Sequence, residues 1–73
     1  MYPTITVTSS RGDRYDYEAL DADGTAIGQG YNWPLDVVVA KVADLANRYH
    51  SAVIKAPAEV LDEMERHRRV YNV

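Results

Sequence analysis

The sequence predicts an α+β domain of element order β-β-β-α-β-α, and three observations carry that reading. A glycine-closed turn joins two strand-like runs between Tyr15 and Tyr31, an alternating β-branched run precedes them, and a helix-period segment follows from Pro34 to Tyr49. Together they describe a three-stranded antiparallel meander packed on one face by a helix. A short strand or extended segment and a C-terminal helix complete it, all in one domain spanning 1–73.

The first strand is Thr4 to Ser9, where Ile5 and Val7 alternate with Thr4, Thr6 and Thr8. That period of two, in β-branched residues, is the signature of a strand buried on one face. Ser9 to Arg14 has no apolar residue and contains Gly12, so it reads as a surface connection. It spells Arg11-Gly12-Asp13, an integrin-ligand tripeptide in extracellular proteins, but three letters are too few to outweigh an ordinary charged loop.

Between Asp21 and Thr25 stand Ala22, Asp23 and Gly24, which fit a three-residue hairpin loop, a type I turn closed by a left-handed glycine. Counted outward, this register sets Ala19 opposite Ile27, Tyr17 opposite Gln29 and Tyr15 opposite Tyr31, gathering the apolar residues on one face. Asp16, Glu18, Ala26 and Gly28 then share the other face. The rival two-residue turn at Asp23-Gly24 would pair Leu20 with Ile27 and put Glu18 and Gln29 on that same apolar face, so the three-residue loop is preferred.

Asn32 is placed to cap a helix and Pro34 to occupy its first turn, where the missing N–H costs nothing. Leu35, Val38, Val39, Val42, Leu45, Ala46 and Tyr49 recur at helical spacing, with Asp36, Lys41, Asp44 and Arg48 opposite. Ser51 to Lys55 is a brief fourth strand or a connector. Pro57 then opens a second helix with a narrow stripe of Val60, Leu61, Met64 and Tyr71. Acid-before-base pairs Asp62 with Arg66 and Glu65 with Arg69 are spaced to support it.

Composition narrows the class. Hydrophobic residues at 47% against 26% charged mark a globular chain, and with no cysteine the core rests on packing alone. No apolar run approaches the roughly 20 residues that a membrane span needs. The start, MYPTITVTSS, lacks the basic and apolar blocks of a secretory signal, so the expected address is cytoplasmic and the chain is not expected at a membrane.

Charge is uneven. Asp13, Asp16, Glu18, Asp21, Asp23 and Asp36 stand against Arg14 alone across the hairpin, whereas Arg66, Arg68 and Arg69 crowd the tail. An exposed acidic hairpin suits a basic protein surface, since complementary potentials speed encounter; the plainer reading is a solvated face. A nucleic-acid site on the arginines is disfavoured by the net charge of −3 and by their acidic helix neighbours. All six tyrosines carry a hydroxyl that needs water or a partner, and the chain has no phenylalanine. Tyr15, Tyr17, Tyr31 and Tyr49 are expected to pack by their rings, leaving Tyr2 and Tyr71 for an interface.

Catalytic and metal constellations are weak. Glu59, Glu63 and His67 share one side of the second helix, a spacing that Glu-rich helices produce by chance. Aligning Gly24 with the glycine of a calcium loop puts Ala19 at the first ligand and Gly30 where a bidentate Glu is required, so that reading fails. No cofactor is expected. What remains is a small non-enzymatic protein-binding module acting stoichiometrically as an inhibitor or adaptor, with Asp16, Glu18, Asp21, Asp23, Tyr2 and Tyr71 as candidate partner-binding residues. Bacteriophage inhibitors of host defence, anti-CRISPR proteins among them, have this general character of size and charge, and the analogy goes no further. The alternatives are a nucleic-acid binder using the arginine cluster, or an enzyme subunit that needs a partner chain. The stripe on the second helix leaves homodimerisation open.

Overall fold

The computed structural model describes residues 2–49 and 51–71, with side chains described for 2–49 and 51–66. Its elements are β1 (Thr4–Ser9), β2 (Arg14–Leu20), β3 (Ala26–Pro34), α1 (Leu35–Arg48), β4 (Val53–Lys55) and α2 (Ala58–Tyr71). The predicted order is therefore observed. The strands form a mixed four-stranded sheet in the order β3-β2-β1-β4, in which β1 to β3 are antiparallel neighbours and β4 runs parallel to β1.

The fourth segment thus joins the sheet as a strand, pairing Ile54 with Ile5, and Val53 N–H donates to Pro3 O at 2.8 Å. Because β3 and β4 lie on opposite edges, α1 has to cross the sheet to connect them, which lays it over one face. Cα extents of 33 × 31 × 16 Å fit one sheet and one helix layer, with no depth for a third.

The core lies between those layers. Ile5 and Val7 of β1, Tyr15, Tyr17 and Ala19 of β2, Val38, Val39, Val42 and Leu45 of α1, and Val60 of α2 are all buried. The period of two in the strands and of 3.6 in α1 select these residues, and each fully buried aliphatic side chain contributes about 1.5–3 kcal/mol. Among the described residues no buried side-chain nitrogen or oxygen lacks a hydrogen-bond partner.

The hairpin loop between β2 and β3 is the three-residue one. Asp21 N–H donates to Thr25 O at 2.9 Å, Gly24 N–H donates to Asp21 O at 3.0 Å, and Gly24 has φ +86°. The expected register, however, survives only at the turn, where Leu20 faces Ala26. Ile27 is an extra residue, so Ala19 faces Gly28 and Tyr17 faces Gly30. A second irregularity leaves Tyr31 and Asn32 opposite Asp16 alone, so Tyr15 faces Trp33. These are β-bulges, each adding one residue to β3 and turning the following side chains over.

Several expectations change as a result. Gly28 looks into the core, where a Cβ would stand 3.5 Å from the Tyr17 ring and 3.6 Å from Leu45 Cδ1. Tyr31, expected to pack, is 65% exposed, and Trp33 takes its place by packing edge-on against Tyr17 with ring centroids 5.1 Å apart. Asn32 does not cap α1. It sits at φ +60° inside β3, the N-cap is Pro34, and no side chain bonds to the helix start.

On α2, Val60 is fully buried and Met64 packs against the core, but Leu61 is 44% exposed. The stripe expected there is therefore divided between the chain's own core and solvent. Arg66 pairs with Glu63 at 2.7 Å rather than with Asp62, one residue closer than the expected spacing. The pairing of Glu65 with Arg69 involves a side chain outside the described ones. No described helix is long and apolar enough to cross a membrane.

Candidate binding face of the sheet

Helices cover one face of the sheet, and the other carries the side chains that alternate away from the core. Across it, in register, lie Lys55 of β4, Thr6 of β1, Glu18 of β2 and Gln29 of β3, with Thr8 and Asp16 paired one step along. Strand alternation alone puts Asp16 and Glu18 here, because Tyr15, Tyr17 and Ala19 must point inward.

Thr6, Thr8, Asp16, Tyr17, Glu18 and Tyr31 line an open depression of about 270 Å³ on this face. Asp16 is half-buried and held: its Oδ1 accepts the Asn32 N–H at 2.9 Å. That bond spans the second bulge, stabilises the left-handed Asn32, and so fixes the adjoining Tyr31 on the open side. Asparagine is among the few residues that adopt positive φ without large strain. Neither Asp16 nor Glu18 forms an ion pair among the described residues. The cation nearest in register, Lys55, is separated from Glu18 by Thr6.

The other candidate residues are dispersed. Asp21 Oδ1 accepts N–H groups from Asp23 at 2.9 Å and Thr25 at 3.0 Å, so this carboxylate is committed to shaping the hairpin loop. Asp23 is exposed at the loop, and Tyr2, 66% exposed, precedes β1 at the same end of the sheet, since Thr4 faces Leu20. The side chain of Tyr71 lies outside the described ones, as do those of His67, Arg68 and Arg69. Tyr31 was not among the candidates. The signal for it was the Asn32 beside it, a residue type suited to a bulge.

On the covered side, the Tyr15 hydroxyl donates to Glu59 Oε1 at 3.1 Å, tying β2 to the start of α2. Burial, together with the charges of Glu59 and Asp13, holds the Tyr15 phenol above its ordinary range, and burial does the same for Tyr17. Glu59 and Glu63 are thus engaged by Tyr15 and Arg66 respectively. No group of three or more metal-ligating side chains comes together among the described residues. The Arg11–Asp13 tripeptide forms an exposed turn in which Arg14 N–H donates to Arg11 O at 2.8 Å, and Gly12 has φ +53°. Compared with known proteins, the chain matches no protein-family model, no curated protein and no solved structure.

Proposed function

We propose that this protein is a non-enzymatic, protein-binding module that acts stoichiometrically, as an inhibitor or adaptor, through the uncovered face of its sheet. The observation that carries the reading is the exposed ring of Tyr31 beside the carboxylates of Asp16 and Glu18 in one depression, neither of which forms an ion pair among the described residues. Exposed aromatic surface ringed by polar groups is characteristic of interfaces, and two carboxylates on one face favour a basic partner surface. Nucleic acid is a poorer fit, because phosphates are repelled by this face and Arg66 is already paired with Glu63.

The test compares the wild-type protein with a Glu18→Lys variant as bait in lysate of the source cells, followed by titration of the purified partner. A saturable 1:1 complex is expected, with association slowed about tenfold or more and less salt-dependent in the variant. Binding that is indifferent to Glu18→Lys but lost on Arg66→Glu would move the interface to α2. A salt-dependent DNA or RNA mobility shift would then support the nucleic-acid reading.

A further inference from the structure

We infer that the depression on the open face seats an arginine side chain presented by a basic segment of the partner protein. The inference rests on the protein-binding reading above and names the chemistry of its contact.

Guanidinium is the group that these walls suit. Its flat faces stack on an aromatic ring, while its edge donates several N–H groups to carboxylates and hydroxyls. The depression offers both: the Tyr31 ring, and the oxygens of Asp16, Glu18, Thr6 and Thr8. Asp16 does not need to be ordered by the ligand, because one of its oxygens is already held by the Asn32 N–H at 2.9 Å while the carboxylate forms no ion pair among the described residues. Preorganisation of that kind lowers the ordering cost of binding. A bare metal ion is less well served, since only two carboxylates converge, one of them already accepting a backbone bond. An anion would meet like charge.

The test is an amide-resolved NMR titration with a blocked pentapeptide, one arginine flanked by glycine and serine. The same peptide with citrulline keeps the shape without the charge, and a lysine version keeps the charge without the plane. Saturable shifts at Thr6, Thr8, Glu18 and Tyr31 are expected with arginine, weaker ones with lysine and none with citrulline. Tyr31→Ala and Glu18→Gln should each weaken binding about two- to fivefold, whereas Tyr31→Phe should retain it. Tyr31 and Glu18 are both exposed, so these variants keep the core.

Equal binding of lysine and arginine with no effect of Tyr31→Ala would reduce the site to diffuse acidity and overturn the inference. So would shifts confined to another face, or none at all. Shifts at the same residues that appear on raising protein concentration without peptide would assign the face to a second copy instead, and would also overturn it. The two readings fail separately. A partner complex sensitive to Glu18→Lys, with no peptide response, removes the arginine seat alone. A peptide response with a partner complex indifferent to Glu18→Lys removes this face from the partner contact, and with it the partner's arginine as the occupant of the depression.

Discussion

The ring of Tyr17 occupies the space that a side chain on Gly30 would need: a Cβ at Gly30 would stand 2.6 Å from Tyr17 Cε1 and 2.8 Å from Trp33 Cε2. Glycine in a strand ordinarily weakens it. Here the two rings cover the bare backbone, Tyr17 from the neighbouring strand and Trp33 from β3 itself, and together they fill the core at this point.

Gly30→Ala should therefore cost about 1–3 kcal/mol through overpacking, because both neighbours are stiff rings. Gly28→Ala is the control. Its Cβ would make ordinary contacts at 3.5–3.6 Å, so its melting temperature should stay level or rise slightly. Thermal denaturation of the pair checks the relationship; equal losses at both positions would contradict it.

Truncating the centre of α1 tests the covered face. Leu45 is 3% exposed and packs with Val42 and Val38, so Leu45→Ala should lower stability by about 2–5 kcal/mol, enough to unfold much of so small a domain. The outward Leu61→Ala should change it by less than about 0.5 kcal/mol. Urea denaturation would measure both.

The bulge that presents Tyr31 rests on Asp16 and Asn32. Asp16→Asn keeps an acceptor oxygen and should be close to neutral, whereas Asp16→Ala should cost about 1 kcal/mol by leaving the Asn32 N–H to water. Asn32→Gly should be tolerated at φ +60°, and Asn32→Val should be clearly destabilising. Hydrogen exchange at the Asn32 amide, faster in Asp16→Ala, reports the bond directly.

Alkaline pH should destabilise the fold through Tyr15 and Tyr17. Both phenols are held above the ordinary value of 10.0 in the folded state, so the unfolded chain releases these protons first. Their contribution is complete below about pH 10, the unfolded value, and is lost as pH rises through the folded one. Tyr15→Phe should melt less steeply with pH above that point, at the expense of the bond to Glu59 at neutral pH. Ultraviolet titration of tyrosinate alongside melting curves would follow both effects.

How much of this was legible in the sequence varies with the range of the forces involved. Gly24 and the inward face of α1 were readable because a turn conformation and a helical period are local properties, decided by adjacent residues. The register beyond the hairpin turn was not, because each bulge depends on a tertiary gain: the first lets Gly28 and Gly30 lie under Tyr17, and the second is held by a carboxylate 16 positions away. A one-residue slip turns every later side chain to the opposite face. That is why Tyr31 was expected inside and is found on the candidate site, and why Asn32, suited to a cap by composition, serves a bulge. The acidic open face itself was legible for Asp16 and Glu18, since β2 carries no bulge to upset its alternation.

The nine residues of β3 include no charged side chain, although the strand forms one margin of the sheet. Unguarded margins of this kind invite pairing with another polypeptide and, repeated, fibrous growth. The two bulges confine its even stretch to residues 28–30, and Pro34, with no N–H to offer, ends the strand. Irregularity thus takes the place that lysine holds on many other sheet margins. A substitution that straightens β3 at Asn32 would lengthen an unprotected template for aggregation, whatever it did to the thermodynamic stability of the single chain.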